Sequence, residues 1–199
     1  MFPVLTLFII FLLFYAYKRS QLTKQEEEKN SAFWDLENQA NTTRKKDIEH
    51  LAYIQIPLDA FPIGTYPSEK RDALEAELIS LSKEKILNLT GISNTDLKLQ
   101  YGAANLEALS ACDDRFARLV SLLTDYARSL LEDSHSEEAV TVLEFGIKIR
   151  SDVTENYVLL ANLYQEKGEG SKIRSLIETA GLLNSLSKET IQKKLQEML

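Results

Sequence analysis

The pattern of apolar and polar positions divides the chain into four segments. Residues 1–17 are almost wholly apolar, and residues 18–50 are polar with charges of both signs. Three prolines within residues 51–67 disfavour helix and predict an extended segment there. From residue 68 to residue 199, proline is absent and apolar residues recur at helical spacing, which predicts a helical domain.

The N-terminal run "MFPVLTLFIIFLLFYAYKRS" predicts a single membrane-spanning helix over residues 1–17 that contacts lipid. No basic residue precedes the run and bulky residues follow it, so a cleaved export signal is not expected. Seventeen helical residues extend roughly 26 Å, close to the hydrocarbon thickness of about 30 Å. We expect Tyr15 and Tyr17 to lie in the headgroup layer, with Lys18 and Arg19 extending toward water. A buried core helix is the less favoured alternative, because the run is apolar on every side.

The charges that flank the run predict its orientation. Four basic residues follow it within twelve positions, and only the amino terminus precedes it. The positive-inside rule then predicts an N-terminus outside the cell membrane and a cytoplasmic C-terminal domain. Within the charged tether, residues 18–50, the apolar group around Trp34 predicts a local helix.

Several helix boundaries follow from capping residues and glycines. One helix is predicted over 68–90 and a second over 94–112, which together form a degenerate helical pair. A closing helix near the C-terminus is expected to direct Ile191, Leu195 and Met198 inward. The predicted N-cap residues are Ser68, Ser136, Asp152 and Ser187.

The helical domain contains a 34-residue internal repeat. Small residues recur at matching positions, as do larger apolar ones, and two helices fit into each unit. The matched pairs are Leu123 with Tyr157, Tyr126 with Leu160, Ala127 with Ala161, Leu130 with Tyr164, Ala139 with Ile173, Leu143 with Ile177 and Gly146 with Ala180. This pattern resembles the tetratricopeptide repeat (TPR) family over about residues 120–185. The predicted fold class is therefore all-α: a transmembrane helix followed by a short TPR-like solenoid of helical hairpins.

The resemblance implies a concave groove lined by the first helix of each unit. Arg128 and Asn162 would there hold a peptide backbone or a carboxylate. Val158 and Asp125 stand where a two-lysine carboxylate clamp would need basic residues, so binding of a chaperone tail is not expected. The groove-facing positions would be Ser121, Thr124, Arg128, Leu131, Glu155, Val158, Asn162 and Gln165.

The proline segment, residues 51–67, has a second interpretation. Its apolar stretch at 53–63 is long enough to lie across the helices as an internal ligand. Whether it occupies the groove, and whether a partner displaces it, both stay open.

The charge balance narrows the classes of partner. The net charge is −7, and residues 51–199 hold 16 basic against 23 acidic side chains. An acidic domain without a basic face is a poor nucleic-acid binder. The single Cys112 excludes a disulfide framework within one chain.

The sequence contains no recognisable set of catalytic or metal-binding residues. His50 and His135 are 85 positions apart, and neither has metal-ligand spacing to Cys112. Gly168 and Gly170 lack the preceding strand and the spacing of a phosphate-binding loop. We therefore expect no catalytic activity, no metal and no cofactor.

These observations predict a single-pass, membrane-anchored adaptor or scaffold that binds an unknown protein or peptide. Self-association stays open. The alternative is a translocated, chaperone-like accessory of the protein-export machinery, which requires the opposite topology. A third hypothesis, an enzyme built from scattered carboxylates, is weak because nothing in their spacing brings them together: Asp113, Asp114, Glu137 and Glu138.

Overall fold

The computed structural model describes the backbone of residues 2–199 and the side chains of residues 8–12, 14–24 and 26–199. Every regular element in that part of the chain is helical, which confirms the all-α prediction. A 3₁₀ turn covers Ala103–Asn105. The α-helices are α1 (Phe2–Thr42), α2 (Glu69–Leu81), α3 (Asn94–Tyr101), α4 (Leu106–Glu132), α5 (Ser136–Lys148), α6 (Thr154–Glu166), α7 (Gly170–Gly181) and α8 (Lys188–Gln196).

Helix α1 combines the predicted anchor with most of the predicted tether. It runs without interruption to Thr42, so helix in the tether is far more extensive than the short stretch expected around Trp34. Part of the predicted anchor, namely Met1 and the side chains of residues 2–7 and 13, lies outside the described residues. Among the residues that are described, no helix has the length and hydropathy that crossing a membrane requires.

The chain divides into two compact units. The first comprises residues 1–48 and 93–106, and the second comprises residues 49–92 and 107–199. In the first unit, Glu37 on α1 pairs with Lys98 on α3 and accepts a hydrogen bond from Thr95 Oγ1 at 2.7 Å. The hydrogen bond from Lys98 lowers the pKa of Glu37. These contacts join α3 to the C-terminal end of α1.

The predicted helix over 94–112 is wrong in one respect, because it breaks at Gly102. This residue has a φ of +93°, a left-handed conformation that favours glycine. A Cβ at Gly102 would lie 2.4 Å from the carbonyl oxygen of Arg44, so the break is also a close approach of two backbones. Helix α3 ends at Tyr101, and a separate helix, α4, then extends to Glu132.

The predicted helix over 68–90 is also too long, because α2 ends at Leu81. Residues beyond it pair with other parts of the second unit: Ile54 N–H donates to Ile86 O at 2.9 Å, and Leu87 N–H donates to Cys112 O at 3.3 Å. Ile86, Leu87 and Leu89 are buried, as expected of helical core residues, but they are not helical. Helix α3, the first part of the predicted helix over 94–112, belongs to the first unit, whereas α2 belongs to the second.

The 34-residue repeat is present in the backbone of the second unit. Helices α4 and α6 end one repeat period apart, at Glu132 and Glu166, and α5 and α7 begin one period apart. The turns between them share one conformation, since Ser134 has φ +66° and Gly168 has φ +70°. Helix α8 begins 34 residues after the start of α6. It therefore occupies the position that the first helix of a third repeat would take.

Each turn of the repeat also contains the same backbone hydrogen bond. In the first turn, His135 N–H donates to Leu130 O at 2.9 Å. In the second turn, Glu169 N–H donates to Tyr164 O at 2.8 Å. The two hairpins are therefore equivalent in hydrogen bonding as well as in helix position.

Small residues at the predicted positions allow the helices to approach closely. Ala127, Ala161 and Ala180 are fully buried. A Cβ at Gly146 would lie 2.6 Å from Asn156 Oδ1, so α5 and α6 touch there. Larger apolar side chains fill the space between these contacts: Leu123, Tyr126, Leu130, Leu143, Tyr157, Leu160 and Tyr164 are all buried.

The predicted helix caps are only partly confirmed. Ser68 caps α2, since its Oγ accepts from Arg71 N–H at 3.3 Å. Ser187 stands at the N-cap position of α8 without a side-chain cap bond. Ser136 and Asp152 do not cap: α5 begins at Ser136 itself, and Asp152 Oδ2 instead accepts from Ser185 Oγ at 2.7 Å.

Candidate binding groove

An open cleft of about 300 Å³ lies in the second unit, between the α4–α5 turn and helix α6. Its apolar lining comes from three leucines on α4 and α6, and its polar lining comes from hydroxyl, amide and carboxylate groups. Leu131 and Leu159 also pack on the main core, so the floor of the cleft is continuous with it. The lining residues are Leu131, Ser134, Ser136, Leu159, Asn162, Leu163 and Glu166.

The cleft contains two of the eight predicted groove residues, Leu131 and Asn162. The others stand elsewhere on the same helices. Thr124 is a correction: it is buried, and its hydroxyl donates to Val120 O at 2.9 Å, so it offers nothing to a ligand. Val158 is half-buried. Three further predicted positions are exposed: Ser121, Glu155 and Gln165.

Arg128 is held by acidic neighbours rather than free to receive a carboxylate. Its Nη1 lies 2.7 Å from Asp125 Oδ1 on the same helix, and its Nη2 lies 2.5 Å from Glu155 Oε1 on α6. The third guanidinium nitrogen, Nε, also donates to Glu155 Oε1, at 3.1 Å. The hydrogen bonds to Glu155 and Asp125 raise the pKa of Arg128. The arrangement ties α4 to α6, so a carboxylate that bound Arg128 would compete with Asp125 and Glu155.

The proline segment packs into the second unit as part of its core. Phe61 is buried between two aromatic rings, with its centroid 5.7 Å from that of Phe145 on α5 and 6.4 Å from that of Tyr126 on α4. Ile56 is also buried in the core. These contacts fall on side chains outside the predicted groove set, so the segment acts as an internal packing element at a different surface. Its backbone forms turns from Leu58 onward rather than a continuous extended strand.

A buried polar network joins the proline segment to α2 and α4. Arg71 is only 2% exposed, and its guanidinium donates to Tyr66 O at 2.7 Å and to Ser129 O at 2.6 Å. Glu75 is buried beside it and accepts from Tyr126 OH at 3.0 Å and from Gly64 N–H at 2.8 Å. Burial raises the pKa of Tyr126, and the bond to Glu75 adds to the effect.

Tyr66 connects the end of the proline segment to the α4–α5 turn. Its ring stacks on His135 with centroids 3.6 Å apart, and its hydroxyl donates to Glu138 Oε1 at 2.7 Å. That hydrogen bond lowers the pKa of Glu138. His135 is half-buried against this aromatic ring.

A second, smaller cleft of about 190 Å³ lies where α5, α6 and α7 meet. Tyr164 OH donates to Glu144 Oε1 at 2.6 Å, and Lys172 Nζ lies 4.8 Å from the centroid of the same ring. These polar groups at the cleft already satisfy one another. The second cleft is therefore structural rather than prepared for a ligand.

Outside the two clefts, few side chains of the described residues are candidates for a reactive or metal-binding role. Cys112 is buried, and burial raises the pKa of its thiol. In the part of the chain that the structure describes, no group of three potential metal ligands comes together. The expectation that the protein is not an enzyme stays a prediction.

No protein-family model, no curated protein and no solved structure matches the chain. The structure shows a 34-residue register of helices and turns, and the resemblance to the TPR family stays a prediction.

Sequence reasoning missed five of the seven residues that line the cleft. Ser134 lies in the turn between α4 and α5, Ser136 is the first residue of α5, and the other three come from a neighbouring stripe of α6. Leu159 follows the predicted Glu155 by one helical turn, and this spacing was the available signal.

Proposed function

We propose that the protein is a single-pass, membrane-anchored adaptor whose TPR-like domain holds a partner protein or peptide in the cleft and performs no chemistry. The observation that carries the proposal is an exposed apolar helical surface, joined in one chain to a helical-hairpin unit that bears an open cleft. The anchor would hold the protein at the membrane, and the cleft would bind the partner. The topology that we propose has the C-terminal domain in the cytoplasm.

The proposed anchor is supported by the exposure of the first part of α1. Eight large apolar side chains between Phe8 and Tyr17 are 47–62% exposed. Successive helical residues are rotated by about 100°, so a run this continuous is apolar on every side. Such a surface is unfavourable in water by about 25 cal/mol for each Å² of apolar area, whereas lipid removes that cost. Lys18 and Arg19 follow at the proposed cytoplasmic boundary.

The uninterrupted α1 also gives the proposed anchor a rigid extension. Residues 18–42 contribute a further length of about 37 Å at 1.5 Å per residue. Thr42, the last residue of the helix, would stand beyond the headgroup layer even if the helix were tilted. The basic residues just after it, at 44–46, are then too distant to bind the same membrane.

The proposed adaptor role is supported by the form of the cleft. Its leucines offer apolar area, while Asn162 and two serines offer hydrogen-bonding groups at the rim. A mostly apolar concavity with a few polar groups is the usual form of a recognition site. The leucines of the cleft pack on or within the main core, which supports it from below.

The topology is tested by protease protection of a C-terminal tag. We expect the tag to resist protease in intact cells and to be digested after lysis, and the full chain to pellet with membranes. A variant without residues 2–17 is the control, which should move to the soluble fraction. Digestion of the tag in intact cells would contradict the cytoplasmic topology and favour the export-accessory hypothesis. Recovery of the full chain in the soluble fraction would contradict the proposed membrane anchor.

The binding role is tested by photo-crosslinking in cells. A photoreactive residue at Asn162 should give discrete crosslinked products, because this residue lines the cleft. The matched control is the same residue at Glu178, a position on α7 that does not line the cleft. Identical products from both positions would refute specific binding at the cleft.

A further inference from the structure

The charges around the cleft identify the chemistry of its occupant. Arg128 lies three residues before Leu131 on α4, and it pairs with Asp125 and Glu155. Lys167 follows the lining residue Glu166, and its Nζ lies 2.7 Å from Glu137 Oε1. An incoming carboxylate would therefore compete with acidic groups that already neutralise both cations. Arg128 thus already serves to join α4 to α6.

Acidic side chains outnumber basic ones among the residues at and beside the cleft. Arg128 carries one positive charge between two carboxylates, which leaves that group with a net charge of −1 at neutral pH. Glu166 lines the cleft itself and is exposed. Of the residues that line the cleft in the described structure, Glu166 is the charged one, and it is acidic. The cleft consequently combines an aliphatic floor with a negative rim.

We infer that the cleft binds a segment of a partner protein that presents an aliphatic side chain beside a lysine or arginine. This inference rests on the proposed function and names the chemistry of the partner for it. Leu131, Leu159 and Leu163 receive the aliphatic group, and Asn162 is placed to bond the backbone of the segment. Glu166 and the Arg128 cluster attract the cationic group, whereas an acidic tail is repelled.

The inference is tested with three helical peptides that share one leucine pattern. Lysine flanks the leucines in the first peptide, glutamine in the second and glutamate in the third. Each is titrated with the full chain in a non-ionic detergent, and binding is followed by fluorescence anisotropy. We expect affinity to fall in the order lysine, glutamine, glutamate, and the lysine peptide to bind more weakly as salt is added.

Two charge-reversal variants distinguish the effect of a charge at the cleft from the effect of the protein's net charge. Glu166→Lys should weaken the lysine peptide by about fivefold or more, since an exposed pair contributes up to about 1 kcal/mol and reversal adds repulsion. Glu178→Lys, on α7, makes the same change in net charge and should have little effect. Equal loss in both variants would mean that the peptide senses only net charge, and would overturn the inference.

The remaining outcomes distinguish this inference from the proposed function. Tighter binding of the glutamate peptide, lost in Leu159→Ser, would keep the cleft as a binding site and overturn its cationic preference. Absence of binding by all three peptides would overturn the inference. If the crosslinks from Asn162 also matched those from Glu178, the adaptor function would fall with it.

Discussion

The two helical hairpins of the second unit, α4–α5 and α6–α7, have the same backbone register and different surroundings. Their turns agree in φ and in hydrogen bonding at equivalent positions of the repeat. The proline segment and α2 cover the first hairpin and bury Arg71 and Glu75 against it. Helix α8 covers the end of the second hairpin with Ile191 and Leu195, which are fully buried.

The difference shows that a repeat specifies its own helix spacing but not how its ends are closed. The side-chain contacts within each hairpin depend on small residues at matching positions. By contrast, Tyr126 donates its hydroxyl to Glu75, whereas its repeat equivalent is Leu160, which needs no polar partner. At this position of the repeat, each hairpin thus has a side chain whose polarity suits its own surroundings.

The largest expected effect comes from removing the cover of the first hairpin. Phe61→Ala should lower the free energy of unfolding by about 3–4 kcal/mol, because it leaves a cavity between Phe145 and Tyr126. Urea unfolding followed by circular dichroism measures the change. Phe33→Ala, at an exposed position on α1, is the matched control and should cost little. An equally small loss from Phe61→Ala would show that the proline segment does not stabilise the repeat.

The close contact between the two hairpins is tested by Gly146→Ala. The added Cβ would lie 2.6 Å from Asn156 Oδ1, and Asn156 is buried, so we expect a loss of about 2 kcal/mol. Gly170→Ala is the comparison, since nothing lies within 4 Å of its Cβ and its backbone is helical. That change should be neutral or stabilise by up to about 1 kcal/mol. Similar results at both positions would contradict the close approach of α5 and α6.

Removing the hydroxyl group from each of two buried tyrosines compares the polar network around Glu75 with the apolar core. Tyr126→Phe removes a donor to the buried Glu75 and should cost about 1–2 kcal/mol. Tyr157→Phe removes a buried hydroxyl that has no hydrogen-bond partner in the described structure, so it should be neutral or stabilising. Unfolding midpoints of the two variants test the contrast, and the reverse order would exclude the network around Glu75.

The equivalence of the two turns predicts opposite effects of two small substitutions. Ser134→Gly should stabilise by up to about 1 kcal/mol, because it relieves a serine at φ +66°. Gly168→Ala should destabilise by about 1 kcal/mol, since φ +70° is strained for alanine although space is open around it. Thermal unfolding measures both. A change of the same sign in the two variants would indicate that the turns are not equivalent.

The smallest effect, which has no consequence at neutral pH, is the titration of Tyr157. Burial raises its pKa from 10.0 to about 12. Because the folded-state pKa is the higher one, the stability that this group contributes is fully present below pH 10 and is lost between pH 10 and about 12. We expect the Tyr157→Phe variant to lose stability less steeply with pH than the parent chain in that interval. Parallel pH profiles would mean that Tyr157 titrates normally.

Several features could be predicted from the residues alone because their causes are local. Ser68 caps α2 through an N–H three residues away, and Gly168 adopts a turn conformation that its missing side chain permits. The spacing of Ala127 and Ala161 reports a helix contact that recurs with the period of the repeat.

The cleft, by contrast, was only partly predicted. Leu131 and Asn162 were expected to face a ligand, whereas Glu166, which sets the charge of the rim, was not. The cleft forms where a turn meets the next hairpin, so its lining depends on how the hairpins pack and not on the register of one helix.

Composition and periodicity alone establish the all-α class, the 34-residue period and the apolar character of the first seventeen residues, because these are properties of the linear chain. The folded chain was needed to show that Ile86 is buried outside any helix, that Phe61 packs between two aromatic rings, and that two acidic residues engage Arg128. Each of these outcomes depends on a partner in another element. The choice among such partners is set by packing and by charge pairing, which local periodicity does not encode.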